Sequence, residues 1–217
     1  MQGKTHLAIG AAIGGVASVY YTSGNIAWDE SVYYIAVAAF SALSADLDGP
    51  SMLTSRITKL SRHIRTWALW ISIVYFAIIG YLYLTAQPVS MTMTGLAFAG
   101  LLIGLVMKQG ALRNAMVSLV GGYLIYKGLI ADRTWLMGLG TFIVWAPWLK
   151  HRGMTHTVWV LPIWGWLGWG MEQDLGIEGL GMTALLGYMS HLAADTLTPS
   201  GVKWLYPLYK KPFRLRM

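Results

Sequence analysis

Eight long apolar segments constrain the fold of this 217-residue chain more than any other feature of its sequence. Hydrophobic residues make up 56% of the chain and charged residues only 12%, against roughly 25% charged residues in soluble domains. Because lipid offers no hydrogen-bonding partners to an open backbone, apolar segments in a membrane form helices. The segments cover residues 7–21, 31–45, 67–86, 93–107, 115–130, 134–149, 157–171 and 180–196. The sequence predicts an all-α, polytopic integral-membrane helical bundle of about eight segments, forming a single domain over residues 1–217.

The basic residues favour one topology for this bundle. Short cytoplasmic loops retain Lys and Arg, and an arrangement with both termini in the cytoplasm places all but two of the 16 basic residues on that side. The two exceptions are Lys127 and Arg133. The net charge of +7 therefore follows the loops and does not form the single stripe of a nucleic-acid-binding domain. We expect contact with the phospholipid bilayer and no nucleic-acid partner.

The titratable residues divide between the two predicted sides of the membrane. All five histidines lie on the cytoplasmic side, whereas only three of the nine carboxylates, Asp46, Asp48 and Asp195, lie there with them. Ionisable groups in or near a membrane are costly and usually serve a function. Since the chain has no cysteine, any metal bound on this side must have nitrogen and oxygen ligands.

The last apolar segment contains His191 and Asp195, four residues apart. On a helix, this spacing places both side chains on one face, where they can bind one ion. A buried hydrogen-bonded pair explains the same spacing equally well. The hydroxyls of Thr155, Thr196 and Thr198 are candidates to support metal ligands.

A second motif, His-Arg-Gly-Met-Thr-His at residues 151–156, joins two aromatic-rich segments. Gly153 permits a tight turn that offers two imidazoles and a guanidinium at one surface. A basic cytoplasmic loop with incidental histidines is the alternative. His156 is the better ligand candidate because it adjoins the next helix, whereas His151 is a candidate acid–base residue. Arg152 is suited to phosphate or carboxylate oxygens.

Two acidic residues, Asp46 and Asp48, follow the second segment, where Gly49 and Pro50 break the helix. Such acids are ordinary helix-stop residues. Near a helix C-terminus, however, they oppose the helix dipole, so they call for a compensating positive charge. Residues two apart in an extended turn can both face one metal cluster. His6, at the start of the first segment, counts only as a member of this set.

Together these motifs resemble the YdjM-type family of bacterial inner-membrane proteins, which are LexA-regulated and described by inference as metal-dependent hydrolases. The family pattern is a Thr-His near the N-terminus, an Asp-x-Asp after the second span, a His-Arg-Gly-x-Thr-His loop, and a late Ser-His-x3-Asp followed by Thr-Pro-x-Gly. This chain carries all four in order, as Thr5-His6, residues 46–48, residues 151–156, and residues 190–201. It departs at Gly49, where many members have His. The resemblance implies a bacterial inner-membrane location and a distant likeness to zinc-dependent phospholipase C.

We therefore expect a membrane-bound metal-dependent hydrolase with its active site at the cytoplasmic face, cleaving a phosphoester of a membrane lipid or lipid-linked substrate. One or two divalent ions would be bound by His6, Asp46, Asp48, His156, His191 and Asp195. The share of imidazole ligands favours Zn²⁺, with Mn²⁺ as the second choice. In catalysis, Arg152 would stabilise charge on the phosphoryl group and His151 would protonate the leaving oxygen.

Two other classes of protein remain open. A metal ion or proton transporter also buries His and Asp in a bundle, but its ligands lie near the midplane with a path to both faces. A noncatalytic membrane protein with a structural metal would close the coordination shell of its ion. The sequence leaves the substrate and the oligomeric state undetermined.

Overall fold

The computed structural model describes residues 2–23 and 28–215. Over these residues the chain forms eight α-helices, and its β-structure is limited to an isolated bridge between Val202 and Phe213. The helices are α1 Gly3–Tyr21, α2 Trp28–Ser44, α3 Ser55–Leu84, α4 Met91–Leu101, α5 Gln109–Ile130, α6 Thr134–Trp145, α7 Leu161–Leu175 and α8 Leu180–Thr196. The all-α prediction is confirmed, and each helix overlaps one predicted segment.

Two helix starts differ from the apolar pattern. Helix α3 begins at Ser55, twelve residues before the apolar segment at residues 67–86. Hydropathy marks only the apolar part of a helix, whereas Arg and Lys are good helix formers and extend it into polar surroundings. Helix α7 begins later than predicted, at Leu161, because short 3-10 turns occupy residues 154–156 and 158–160. Pro162 then stands in its first turn, where its missing N–H is no loss.

The described residues fall into two compact units, each considered separately. The first unit contains residues 1–54 and 117–217, and the second contains residues 55–116. In the first, α8 packs against α1, α2 and α7; in the second, α3 packs against α4. The single integral-membrane domain stays a prediction.

Glycines let the helices of the first unit approach closely. A Cβ atom at Gly187 of α8 would lie 2.6 Å from the carbonyl oxygen of Ala38 in α2, and one at Gly14 of α1 would clash with the backbone of Ile35. Small residues at such positions are the usual means by which membrane helices pack. This packing brings the start of α1, the end of α2 and the end of α8 together.

One described helix, Ser55–Leu84, is long and apolar enough by itself to cross a membrane. Only 6% of its most apolar window is buried, and exposed Trp67, Trp70 and Tyr81 lie on its surface. The bent pair of segments at residues 91–106 and 110–130 meets the same criterion of length and composition if it forms one span. The helices thus identify one or two spans, and the number eight rests on the sequence pattern.

The close approach of α1 and α2 predicts different effects for two neighbouring glycines. We expect Gly14→Ala to lower the free energy of unfolding by about 1–3 kcal/mol, because its Cβ meets the backbone of Ile35. Gly15→Ala is the matched control, since nothing lies within 4 Å of its Cβ and alanine favours the helix. Thermal unfolding of the purified protein in detergent measures both, and equal stability of the two variants would contradict this packing.

Candidate metal centre

The predicted ligands come together at one end of the first unit. His6, His156 and His191 are each at most 1% exposed, and Asp195 is equally inaccessible at 2%. The whole set of predicted ligands, which also includes Asp46 and Asp48, comes from four elements. These are the first turns of α1, the 3-10 turn at residues 45–48, the loop at residues 151–156 and the last turns of α8. Each of these elements begins, ends or turns here. Their polar side chains can therefore meet at one end of the apolar helices.

Three ligand atoms approach one another as they would around an ion, and a fourth lies near two of them. His156 Nε2 and His191 Nε2 are 3.3 Å apart, and Asp46 Oδ1 lies 3.6 Å from the first and 3.7 Å from the second. Asp195 Oδ2 lies 3.8 Å from His191 Nε2 and 4.0 Å from His156 Nε2. Zinc ligands at bond lengths of about 2.0–2.1 Å lie roughly 3.3–3.4 Å apart in a tetrahedron. The atoms of Asp46, His156 and His191 therefore fit three positions around a tetrahedral divalent ion after a small contraction, and Asp195 lies beside the two imidazoles.

The hydrogen bond at His191 fixes the tautomer of its neutral imidazole. Its Nδ1 lies 2.7 Å from the carbonyl oxygen of Ala42. A carbonyl oxygen can only accept, so Nδ1 carries the hydrogen and donates it. The lone pair is consequently on Nε2, the atom that faces the other ligands.

Thr155 fixes the tautomer of His156 in the same way. The Thr155 hydroxyl donates to Asp48 Oδ2 at 2.6 Å, and its oxygen is 3.0 Å from His156 Nδ1. Since that hydroxyl has given its only hydrogen to the carboxylate, it accepts from Nδ1. The neutral imidazole therefore also directs its Nε2 lone pair at the cluster.

The two facing lone pairs require a positive charge between the imidazoles. Burial opposes the charged form of His156, but the carboxylates of Asp46 and Asp48 outweigh it and raise the pKa of His156 to about 9. In the ion-free protein a proton thus supplies the positive charge. A divalent ion would supply it instead and displace the proton, as metal binding to imidazole requires.

The hydrogen bonds of Asp48 go to the loop at residues 151–156. Its Oδ1 accepts from His151 Nδ1 at 2.7 Å, and its Oδ2 accepts from the backbone N–H of Arg152 at 2.9 Å as well as from Thr155. Burial raises the pKa of Asp48, but these hydrogen bonds hold it well below its usual range. Asp48 also forms, with Asp46 and His151, a group whose ligand atoms lie within 4.8 Å of one another, so its role as a ligand stays a prediction.

Arg152 connects the loop to α8 through an uncommon backbone conformation. Its φ is +56°, in the left-handed region, which costs a non-glycine residue about 1 kcal/mol or more. In this conformation its N–H reaches Asp48 while its guanidinium donates to Asp195 Oδ2 at 3.1 Å. The adjacent Gly153 has no room for a side chain, because a Cβ there would lie 2.6 Å from the Lys150 carbonyl oxygen.

His6 belongs to an alternative position for an ion. Its Nε2 lies 3.3 Å from Asp195 Oδ1, and its ring stacks on that of His191 with centroids 3.9 Å apart. Its Nδ1 is buried without a hydrogen-bond partner among the described residues. His6, His191 and Asp195 form a separate group that could hold a metal ion. The two groups that include His191 are alternatives for its Nε2, because a single lone pair binds one ion, and a second ion stays a prediction.

A polar cavity of about 470 Å³ opens beside the cluster. Asp46 and Asp195 line it together with the cations Lys4 and Arg152. His151 lines it as well, and its side chain is 56% exposed. A small anionic group can enter this space and reach both the candidate ligands and the positive side chains.

The three predicted supporting threonines differ in their contacts. Thr155 bridges Asp48 and His156, as a supporting residue should. Thr196 donates to the Leu192 carbonyl, and Thr198 donates to the main-chain carbonyl of Asp195. These two hydroxyls contact the last turn of α8, and no hydrogen bond from them to a ligand side chain is found among the described residues.

Two contributors to the site were not predicted. Tyr188 is fully buried, and its hydroxyl donates to the Thr155 carbonyl at 2.6 Å. Its position three residues before His191, on the same face of α8, was the available signal. The Ala42 carbonyl that orients His191 leaves no signal, because any residue supplies the same atom.

Comparison with known proteins agrees with the motifs. The YdjM inner membrane protein family matches residues 1–217. The chain belongs to this family. It is similar to the inner membrane protein YdjM of Escherichia coli strain K12 and to that of Shigella flexneri, each 38% identical over 66 residues. Those matches cover 26% of this chain and only 30% of each curated relative. No solved structure matches.

Family membership confirms the resemblance found in the sequence and the inner-membrane location. It also places the His and Asp cluster in a membrane protein, where buried ionisable groups are rare and usually functional. The cluster is therefore the candidate functional site of this YdjM family member.

The cluster predicts that metal binding depends on one histidine and not on another. We expect His191→Ala to reduce bound divalent metal at least about tenfold, because it removes the Nε2 atom shared by the two candidate groups that are built from buried histidines. His63→Ala is the control, since His63 lies exposed on α3 in the other unit. Elemental analysis of the full-length proteins purified with added zinc or manganese gives the readout. Equal metal content in both variants would refute the metal centre.

Proposed function

We propose that this protein is a metal-dependent hydrolase that cleaves a phosphoester of a lipid or lipid-linked substrate at the cytoplasmic face of the inner membrane. One observation carries the proposal. The hydrogen bonds of His156 and His191 direct both Nε2 atoms at each other and towards Asp46, beside a cavity with exposed cationic and imidazole groups. A carboxylate–imidazole cluster beside an accessible cavity is the arrangement of a catalytic metal site.

The residues present fit a divalent ion. Asp46, His156 and His191 would hold it, with Asp195 beside them, and His6 with Asp195 would complete the alternative position. Two imidazoles favour Zn²⁺, and the carboxylates leave Mn²⁺ as the alternative. When bound, such an ion supplies Lewis-acid charge at a phosphoryl oxygen.

The cationic side chains of the cavity would bind the phosphoryl group. Arg152 presents a planar guanidinium that matches phosphate oxygens, and Lys4 adds a second positive charge to the cavity. Because Arg152 already contacts Asp195, its guanidinium is held at the edge of the cluster before substrate arrives. This geometry lets it stabilise negative charge as it develops.

His151 is placed to transfer a proton. Its Nδ1 donates to Asp48 Oδ1, so its Nε2 remains for the substrate in the cavity. The Asp48 carboxylate fixes the orientation of the ring. We assign His151 the role of protonating the leaving oxygen.

A lipid substrate is supported by an apolar cavity of about 660 Å³ between α1 and α8. Ile9 and Ala193, which line it, lie within about one helical turn of His6 and His191. The opposite lining residues, Tyr20 and Met182, are near the other end of the two helices. A hydrocarbon chain lying along this cavity would bring its polar end to the cluster.

The one-sided position of the cluster favours an enzyme over a transporter. His6 begins α1, Asp46 follows α2, and Asp195 lies in the last turn of α8. A transporter requires ligands near the middle of its helices and access from both faces. A purely structural ion would have no need of the exposed His151 and the cationic cavity.

The catalytic proposal predicts that His151→Ala abolishes most turnover while the metal remains bound. We expect phosphate or phosphorylated-headgroup release to fall about 10²-fold or more, and Arg152→Lys to lose less than Arg152→Ala because it keeps the charge. Zinc-loaded full-length protein in phosphatidylethanolamine and phosphatidylglycerol vesicles, with or without a polyprenyl phosphate, serves for the assay. If metal is bound but none of these three lipids is cleaved, the proposed hydrolase function is wrong. If His151→Ala is fully active, the role assigned to His151 is wrong.

The proposed eight-span topology with cytoplasmic termini is testable with single cysteines, because the chain has none of its own. We expect a membrane-impermeant thiol reagent added to intact spheroplasts to label Asp132→Cys and not Lys59→Cys or Lys203→Cys. Opening the membrane should make the latter two reactive, because positive residues are retained in the cytoplasm. Labelling of Lys59→Cys in intact spheroplasts would overturn this topology.

A further inference from the structure

The chain beyond α8 forms an arm, residues 197–215, that returns to the end of that helix. The Leu215 N–H donates to the Thr196 carbonyl at 3.1 Å. Within the arm, Val202 and Phe213 exchange two backbone hydrogen bonds of 3.1 and 2.8 Å. The main chain thus holds the arm at the end of α8 that bears the candidate ligands.

Two further hydrogen bonds join the arm to the 3-10 turn that precedes α7. The Val158 N–H donates to the Trp204 carbonyl at 2.9 Å, and the Trp159 Nε1–H donates to the Tyr206 carbonyl at 3.0 Å. Trp159 is 45% exposed, and partly exposed tryptophans at the ends of apolar helices are typical of the membrane–water interface. The arm is therefore ordered at the level where the helices leave the hydrocarbon.

Folding leaves the large apolar side chains of the arm uncovered. Leu208 is 81% and Leu215 is 63% exposed, and the exposed set also contains Leu205, Tyr209 and Phe213. An irregular backbone does not lie exposed to lipid within the hydrocarbon region. The headgroup region suits both parts of the arm, because it offers hydrogen-bonding partners to the backbone and adjoins the acyl chains.

The charge of the arm has one sign. From residue 196 to residue 217 the sequence contains five basic residues and no acidic one. Lys210, Lys211 and Arg214 are exposed and lie within residues 208–215, among the exposed apolar side chains. The surface is thus both apolar and cationic, so its partner must offer hydrocarbon and negative charge together.

A leaflet that contains anionic phospholipids offers both. Acyl chains accept the apolar side chains, and phosphates attract Lys and Arg held near the membrane surface. Duplex nucleic acid supplies phosphates but little apolar surface for Leu208 and Leu215. Since the chain belongs to an inner membrane protein family, a leaflet is also within reach of the end of its helices.

We propose that the arm is an interfacial anchor that binds the phosphates of anionic phospholipids through Lys210, Lys211 and Arg214. Leu208 and Leu215 insert between the lipids beside these phosphates. Binding requires neither a metal ion nor hydrolysis, so the anchor goes beyond the proposed enzymatic function and is tested separately from it. Through the backbone hydrogen bond to Thr196, the anchor holds this end of α8 at the depth of the headgroups.

The test measures whether the arm enters a membrane that carries negative charge. Because the chain has no cysteine, a Leu208→Cys variant of the full-length protein carries one fluorophore. Nanodiscs contain phosphatidylcholine alone or phosphatidylcholine with phosphatidylglycerol. Doxyl-labelled phosphatidylcholine quenches a fluorophore in the membrane, and acrylamide quenches one in water. We expect phosphatidylglycerol to increase doxyl quenching several-fold and to lower acrylamide quenching.

Removing the charges of the arm should abolish this effect of phosphatidylglycerol. In the labelled protein, Lys210→Gln, Lys211→Gln and Arg214→Gln together should return doxyl quenching to its level in phosphatidylcholine. Salt provides the same test without these substitutions. In about 1 M NaCl the Debye length falls to about 3 Å, so doxyl quenching in phosphatidylglycerol nanodiscs should fall as well.

The matched control removes three exposed charges from the first turns of α3, by Arg56→Gln, Lys59→Gln and Arg62→Gln. It lowers the net charge by the same amount and should leave quenching at the arm unchanged. Equal loss in this control would show a general effect of charge and overturn the anchor. Equal doxyl quenching in the two kinds of nanodisc would also overturn it. Strong acrylamide quenching in both would place the arm in water, free for a soluble partner instead of lipid.

Discussion

The buried carboxylate of Asp48 is the interaction on which the candidate site depends. A carboxylate without hydrogen bonds in this environment would cost several kcal/mol, so the chain must bring donors to it. The loop at residues 151–156 supplies them from one imidazole, one backbone N–H and one hydroxyl. Satisfying Asp48 turns Arg152 into a left-handed conformation and places its guanidinium on Asp195. It also fixes the hydroxyl that sets the tautomer of His156, so one acid that follows α2 orders much of the site.

The sequence predicts the gathering of ligands better than their individual roles. The four-residue spacing of His191 and Asp195, and the placement of other titratable groups at segment ends, were sufficient to bring His6, Asp46 and His156 to the same cluster. Spacing carries no information on whether Asp48 faces an ion or the loop, because both uses require a buried carboxylate. It also cannot reveal main-chain contributors such as the Ala42 carbonyl. Likewise, hydropathy located every helix but not the basic first turns of α3, which are helical without being apolar.

The departure at Gly49 has a structural counterpart. The resemblance drawn from the sequence leads one to expect His directly after the Asp-x-Asp, whereas a Cβ at Gly49 would lie 3.1 Å from His151 Nδ1 in this protein. The His151 ring therefore covers the backbone at this position, and its Nδ1 is held there by Asp48. A side chain at Gly49 and the present position of His151 compete for the same space. Glycine here allows the loop histidine to lie against the acidic turn while its other nitrogen stays available to the polar cavity.

The two imidazoles of the cluster are oriented from different elements. The Ala42 carbonyl of α2 fixes His191, whereas Thr155 fixes His156 and is itself held by the Tyr188 hydroxyl of α8. Tyr188 and His191 lie on one face of α8, so this helix supplies one candidate ligand and supports the loop that carries the other. Because both Nε2 lone pairs depend on the packing of α8 against α2, the close approach that Gly187 permits also contributes to the geometry of the cluster.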